Sequence, residues 1–354
     1  MSDPLLSVSD LVVRFETPRG RIFAVNGVSL TVDAGETVGL VGESGSGKSV
    51  TSLAVMGLLP KDTARIVSGK VRFDGTDLTH LSDEKLRPLR GADISMVFQD
   101  PMSSLNPVLT IREQVVETIR AHNRVGRAEA RQRAVEVIRS VGIPRVEDQL
   151  ERYPHQFSGG MRQRVLIAIA LALEPRLLIA DEPTTALDVT VQAQVLEVLR
   201  EMTTRLGTAL VLISHDLGVM ARMARRVAVM YAGMVLEAAP TAELLSHPRH
   251  PYTVGLLDSA PRLTGTRRLQ PIEGSPPDME REPVGCPFAP RCRWRLQECW
   301  TVTPLLEPVG NEHVLACHNP VAEDELAAAR PLRPGFEAAP PPPGDTGESV
   351  VAPT

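Results

Sequence analysis

Gly42-Glu43-Ser44-Gly45-Ser46-Gly47-Lys48-Ser49 fits the pattern G-x-x-x-x-G-K-S/T of a phosphate-binding loop. Its flanks agree. Thr37-Val38-Gly39-Leu40-Val41 is an apolar run that reads as a buried strand, and Val50 to Leu59 suits a helix. Glycines let the backbone curl round a phosphate with its N–H groups turned inward. A helix starting near Lys48 aims the positive end of its dipole at the same anion. Lys48 would then reach the β- and γ-phosphates, and the Ser49 hydroxyl would ligate Mg²⁺. Gly42 to Ser49, with Val50 behind them, form the expected nucleotide-binding segment.

The 354 residues leave room for one large domain and a smaller one. Apolar residues make up 43% and aromatics only 3%, so the core must be built mostly from Leu, Val, Ile, Ala and Met. A net charge of −5, from 38 basic and 43 acidic residues, argues against a nucleic-acid-binding surface. Met1-Ser2-Asp3-Pro4 lacks the basic start and apolar core of a secretion signal. The longest apolar run, Val165 to Leu173, is about half the ~20 residues a membrane helix needs. These features predict a cytosolic protein whose membrane contact runs through a partner. The four cysteines all follow residue 285, and in a reducing compartment such clustering favours metal over disulfide.

Strand and helix signals alternate along the chain. Residues 5–15 and 22–32 read as strands around the turn Pro18-Arg19-Gly20. Lys70 to Phe73 is a short strand before the hairpin-type pair Asp74-Gly75. Ile94 to Phe98 is another strand, ending at Gln99. From about 101 to 175 no strand signal is found. Ile111 to Ala121 and Ala128 to Val141 have helical spacing, so this block reads as a helical insert. Strands return at Leu177 to Ala180 and Ala209 to Ile213, with helices at Val191 to Thr203 and Leu217 to Met223. Val227 to Tyr231 and Met234 to Glu237 suggest a hairpin about Ala232-Gly233. The alternation predicts an α/β parallel core. The chain turns Pro-rich and irregular after about 260. Beyond 321 it is Ala/Pro-rich, with Pro340 to Pro343, and is expected to be disordered. No internal repeat is present.

A second anion-seeking helix start is Phe157-Ser158-Gly159-Gly160-Met161-Arg162-Gln163-Arg164, ahead of the apolar run Val165 to Leu173. An ordinary Ser N-cap would look the same in isolation. Leu177-Leu178-Ile179-Ala180-Asp181-Glu182 follows: a buried strand delivering two carboxylates to its C-terminal edge, where α/β sheets bind ligands. Asp181 suits Mg²⁺, and Glu182 suits polarising the water that attacks the γ-phosphate. Ala186-Leu187-Asp188 comes next, and Ile213-Ser214-His215-Asp216 ends a later strand on a histidine.

In this order the motifs resemble the nucleotide-binding subunits of ATP-binding-cassette (ABC) transporters, over roughly residues 5–320. Gly42 to Ser49 matches Walker A, and Gln99 matches the Q-loop, a further Mg²⁺ and ATP contact alongside Ser49 and Asp181. Ser158, Gly159, Gly160 and Met161 match the signature motif, with Phe-Ser-Gly-Gly-Met in place of Leu-Ser-Gly-Gly-Gln. Asp181 and Glu182 match Walker B and the catalytic glutamate, Asp188 the D-loop and His215 the switch histidine. Phe23 is the candidate for stacking on adenine, with Arg19 and Phe15 competing and a plain core role for Phe23 equally open. The resemblance implies an α/β P-loop domain over 1–260 with a helical subdomain at about 101–175. It also implies a small irregular Cys-containing domain over 261–320 and the tail 321–354. It implies two such subunits packed head to tail, each ATP held by the P-loop of one and the Ser158 motif of the other, with hydrolysis releasing them.

Longer stretches narrow the branch. Phe98-Gln99-Asp100-Pro101-Met102-Ser103-Ser104-Leu105-Asn106-Pro107, Asp181 to Gln192, His250-Pro251-Tyr252 and Gly285-Cys286-Pro287-Phe288 with Arg291-Cys292 are similar to the oligopeptide/dipeptide importer ATPases. Met56-Gly57-Leu58-Leu59-Pro60 favours the first of two paired ATPases. That branch implies ATP hydrolysis driving peptide import, from the cytoplasmic side of the membrane. It implies two permease subunits, a solute-binding protein and a second similar ATPase or a second copy. The residues after Gln99 would receive a permease coupling helix; a plain surface loop is the other reading. Cys286, Cys292, Cys299 and Cys317 lack the tight spacing of a zinc ribbon. Four thiolates also suit a four-iron, four-sulphur (4Fe–4S) cluster, which members of this branch carry; zinc and unliganded thiols remain open. A soluble ABC-type ATPase in nucleic-acid repair or ribosome function is the competing reading. Its tandem cassettes and basic arms are missing here.

Overall fold

The computed structural model describes residues 3–18, 20–100, 104–185, 187–259, 271–310 and 312–322. The chain opens with β1 (Leu6–Thr17) and β2 (Gly20–Val32), then β3 (Thr37–Val41), α1 (Lys48–Val55), β4 (Ala64–Phe73), β5 (Thr76–Asp77), α2 (Asp83–Leu86) and β6 (Ile94–Val97). Four helices follow: α3 (Ile111–His122), α4 (Arg127–Ser140), α5 (Val146–Leu150) and α6 (Gly159–Leu171). Then come β7 (Leu177–Asp181), α7 (Val189–Leu206), β8 (Ala209–Ile213), α8 (Leu217–Met223), β9 (Arg226–Tyr231) and β10 (Met234–Pro240). The last elements are α9 (Thr241–Ser246), α10 (Pro251–Ser259), β11 (Glu307–Gly310) and β12 (His313–Leu315).

Two sheets result. β2-β1-β4-β5 is antiparallel, and an eight-stranded sheet runs β11-β12-β10-β9-β3-β8-β7-β6. Its centre is parallel: β3 pairs with β8 and β9, and β7 with β6 and β8. Every residue of β7 and β8 is buried, as a parallel sheet covered on both faces requires. Alternate side chains serve different cores. Leu178, Ala180, Leu210 and Leu212 pack with Val165, Ile167 and the helical insert. Leu177, Ile179, Val211 and Ile213 pack with Val8, Val25 and Val71 of the antiparallel sheet and with Ala54 of α1. Each large apolar side chain so buried stabilises by about 1.5–3 kcal/mol. The helical insert stands as expected, with no strand among the described residues 104–175. Thr110 and Glu113 open α3 with a reciprocal capping box.

Three elements differ from expectation. α1 stops at Val55 rather than Leu59, because Gly57 turns left-handed (φ 62) and the Leu58 N–H bonds back to the Leu53 carbonyl at 2.8 Å. β4 begins at Ala64 rather than Lys70. Gly69, at φ 91, sits where a Cβ would lie 2.4 Å from the Asp10 carbonyl oxygen, opposite a register shift in β1. A glycine at a bulge hides a continuous strand from a pattern search. The stretch beyond 260, read as irregular, adds β11 and β12 to the main sheet through Glu237↔Leu315 and Ala238↔Val314. Arg19, Pro101-Met102-Ser103, Ala186 and the tail from 323, with Pro340 to Pro343, lie outside the described residues. Among the described residues no helix is long and apolar enough to cross a membrane.

Candidate active site

Backbone contacts dictate the glycines of the P-loop. A Cβ on Gly42 would lie 2.1 Å from the Met230 carbonyl oxygen, and one on Gly47 would lie 2.6 Å from that of Ala24. The hairpin between β9 and β10 braces the loop: the Gly233 N–H donates to the Ser46 carbonyl at 2.9 Å. Lys48 is buried, and its Nζ donates to the carbonyls of Gly42 (2.8 Å) and Glu43 (2.9 Å). Burial lowers its pKa, while the carboxylates of Glu182, Asp181 and Glu43 oppose the shift. The loop is therefore wrapped round its own ammonium, the partner a phosphate would take.

Asp181 ends β7 and hydrogen-bonds with the Ser49 side chain, while its Oδ1 is buried without a hydrogen-bond partner. Burial pushes its carboxyl pKa up; Glu182 adds to this, and Ser49 and Lys48 oppose it. A buried carboxylate with an unused oxygen beside a hydroxyl suits a hard cation such as Mg²⁺. The expected Mg²⁺ ligands Ser49 and Asp181 thus lie together. Gln99 turns elsewhere: its Nε2 donates to Glu182 Oε2 at 3.2 Å. The same oxygen accepts from Thr185 Oγ1 at 2.8 Å and faces His215 Nδ1 at 3.6 Å. Glu182 holds a left-handed backbone (φ 46), unusual for a non-glycine residue, pinned by its N–H to the Ile213 carbonyl at 3.0 Å. Three strand ends, β6, β7 and β8, so bring Gln99, Glu182 and His215 to one oxygen.

Ser158 and Asp188 both sit at helix starts. Ser158 caps α6, accepting from the Met161 N–H at 3.4 Å, and its hydroxyl side is exposed. Asp188 caps α7, accepting from the Thr190 and Val191 N–H groups at 3.1 and 3.0 Å. Gly160 has a packing reason of its own: a Cβ there would lie 2.3 Å from Val191 Cγ1. Phe23 does not present an open ring. It is 8% exposed, the Arg14 guanidinium covers one face at 4.4 Å, and its N–H is tied to the Met279 carbonyl at 2.8 Å. Phe15 is half-buried against the core of the antiparallel sheet.

Two contacts to the P-loop have no local signature in the sequence. Arg291 Nη1 holds the Glu43 carboxylate at 2.8 and 3.1 Å, and the Glu43 N–H donates to Tyr252 Oη at 3.0 Å. His250-Pro251-Tyr252 and Arg291-Cys292 mark the family in the sequence, but nothing local in them points to the P-loop. Cys286, Cys292 and Cys299 are buried, and each of the four cysteines lies within electrostatic reach of the other three. Burial above all pushes the thiols of Cys286 up to about 11 and of Cys292 and Cys317 up to about 12. Among the described residues no three His, Cys, Asp or Glu side chains are disposed to hold a metal ion.

Residues 25–185 match the ABC transporter family, and residues 236–299 match the oligopeptide/dipeptide transporter C-terminal region. The dipeptide transport ATP-binding protein DppD of Bacillus subtilis (strain 168) is 49% identical over 316 residues, covering 89% of this chain and 94% of that protein. The oligopeptide transport ATP-binding protein OppD of Salmonella typhimurium (strain LT2) is 47% identical over 320 residues, covering 90% and 95%. A solved dimeric post-hydrolysis state of the ATP-binding cassette MJ0796 with ADP and Pi superposes with a TM-score of 0.59 at 31% identity, covering 67% of this chain and 98% of that one. The chain belongs to the ABC transporter family, among its oligopeptide/dipeptide transport ATP-binding proteins.

Proposed function

We propose that this chain hydrolyses ATP to energise import of oligopeptides or dipeptides through a membrane transporter. The observation that carries the reading is the meeting of Gln99, Thr185 and His215 on one oxygen of Glu182, beside the Lys48 loop and the Ser49–Asp181 pair. Lys48 and the N–H groups of Gly42 to Val50 bind the triphosphate; Ser49 and Asp181 would hold Mg²⁺, and Gln99 is the further residue that would contact it. Bound there, Mg²⁺ would supply positive charge against the phosphate oxygens. Glu182 accepts a proton from the water attacking the γ-phosphorus, His215 steadies that carboxylate, and the bond to the β–γ bridging oxygen breaks to release ADP.

Ser158, Gly159, Gly160 and Met161 complete the site of a facing subunit, either a homologous ATPase or a second copy, with Asp188 at the junction. The solved cassette dimer supports this arrangement. Two permeases and a solute-binding protein complete the transporter, so the chain sits peripherally on the cytoplasmic face. Residues 1–260 act as the cassette, and 261–320 as an appended domain. In that domain a 4Fe–4S cluster on Cys286, Cys292, Cys299 and Cys317 is the finer expectation, although as they stand no three of these side chains are disposed to hold a metal ion; iron and acid-labile sulphide in anaerobically purified protein, lost in Cys292→Ser, would be its sign. The overall reading is tested by the ATPase activity of the chain with its co-expressed permeases. Activity that ignores Glu182→Gln would refute it.

A further inference from the structure

The established machinery leaves Arg291 without a task, although it is the most heavily engaged cation near the P-loop. It ends a short 3₁₀ turn, Ala289–Arg291, fixed by the Arg291 N–H to the Phe288 carbonyl (3.0 Å) and the Cys292 N–H to the Ala289 carbonyl (3.2 Å). Its Nε donates to the Glu273 carbonyl at 2.9 Å, its Nη2 to the Ile272 carbonyl at 3.2 Å and its Nη1 to Tyr231 Oη at 3.2 Å. The remaining reach of Nη1 goes to both oxygens of Glu43. The Arg291 side chain is 6% exposed and that of Glu43 26%. Phe288 lies edge-on to Tyr231 (5.4 Å) and beside Tyr252 (5.3 Å), whose hydroxyl accepts from the Glu43 N–H. Arg291 of the appended segment thus grips the second residue of the P-loop by its carboxylate, while Tyr252 of α10 holds its backbone.

The charge arithmetic makes this more than packing. The P-loop gathers an anion, yet it carries a carboxylate of its own at Glu43, which would repel a triphosphate at short range. We propose that Arg291 is a positioning residue for ATP binding: it neutralises and draws aside Glu43, so that the loop receives the nucleotide without a competing anion. The proposal rests on the P-loop reading above. It gives the region after residue 260 a direct part in nucleotide affinity, through one ion pair.

The test is a thermodynamic cycle in the full-length chain, with binding of a fluorescent ATP analogue and steady-state ATP hydrolysis measured in parallel. Arg291→Ala is expected to weaken nucleotide binding by roughly tenfold, the scale of one lost charge-assisted contact. KM should rise while kcat at saturating ATP stays near the parent value. Adding Glu43→Gln to Arg291→Ala is expected to restore most of the affinity, because the repelling charge has gone. Unchanged affinity in Arg291→Ala would overturn the proposal. So would an equal loss in the double variant, which would mean that Arg291 acts through folding alone. Arg291→Lys, which keeps the charge on a smaller head, should retain more affinity than Arg291→Ala; equal losses would also count against it. Parent protein that bound no nucleotide would instead strike at the P-loop reading itself, and is seen before any variant is compared.

Discussion

Gln99 and Glu182, 83 residues apart, are joined by a 3.2 Å hydrogen bond across the ends of the paired strands β6 and β7. The bond places a neutral amide donor on the carboxylate proposed to take the proton from water. Glu182→Gln would leave the strand ends and the P-loop intact while removing that acceptor. We expect the variant to bind ATP and stall as a closed dimer, with turnover lower by roughly a hundred- to ten-thousandfold. Size-exclusion chromatography with and without Mg-ATP, beside a phosphate-release assay, checks both halves. Normal turnover would mean that the water is activated elsewhere.

Lys48 is the one ammonium held inside the P-loop, with the Gly42 and Glu43 carbonyls as stand-ins for phosphate oxygens. Lys48→Ala removes the cation and those ties together. ATP affinity should fall by at least about tenfold, the scale of a lost charge-assisted bond. Equilibrium binding of labelled ATP decides the matter: an unaltered dissociation constant would refute the P-loop assignment.

Most of this site could be read from the chain because its parts are local. The P-loop needs glycines at fixed offsets from Lys48, and Asp181-Glu182 closes an unbroken apolar strand. Both are visible without knowing what lies next to what. What stayed hidden depended on partners far away in the sequence. Gly69 concealed β4, since its reason is the Asp10 carbonyl on another strand. Phe23 reads equally as an adenine platform or a core residue, because nothing in its neighbourhood announces that Arg14 lies over its ring. Arg291 is separated from Glu43 by 248 positions, and Tyr252 by 209, so no spacing rule could connect them. β11 and β12 have four and three residues, too few for any alternation to register.

Gly160 shows that a motif residue can be required for two reasons. In Gly160→Ala the new methyl would meet Val191 Cγ1 at 2.3 Å, and a β-branched side chain on a helix has little freedom to turn away. Overpacking of this kind costs about 1–3 kcal/mol. The variant should melt several degrees lower than the parent, and Val191→Ala added to it should recover most of the loss. A melting temperature equal to the parent's would show that α6 and α7 can part freely, which this contact forbids.

His250 links acid stability to the P-loop. It is fully buried, its ring Nδ1 accepts from the Tyr252 N–H at 3.0 Å, and its backbone N–H donates to buried Glu237 at 3.0 Å. Burial lowers its pKa from 6.5 to about 4, with Glu237 opposing the shift. The unfolded chain therefore binds a proton below pH 6.5 that the folded chain refuses until about 4. Stability from this group is complete above 6.5 and is lost as pH falls through that window, by about 1 kcal/mol at pH 5.5. Burial works to raise the pKa of the neighbouring Glu237 carboxyl, but hydrogen bonds from His313, Thr253 and the Arg249 and His250 N–H groups hold it below its usual 4.5, so it stays ionised at pH 5.5. Urea unfolding at pH 7 and 5.5 should show the loss in the parent and a smaller one in His250→Asn, whose amide oxygen can still accept from Tyr252. Equal losses in both would remove His250 as the cause. Because Tyr252 holds the Glu43 N–H, protonation of His250 in the folded chain should loosen the P-loop, and that proton is taken up only near pH 4. ATP affinity in the parent is then expected to hold between pH 6.5 and 5.5, where folded His250 is neutral, and to decline more steeply than in His250→Asn only as pH approaches 4.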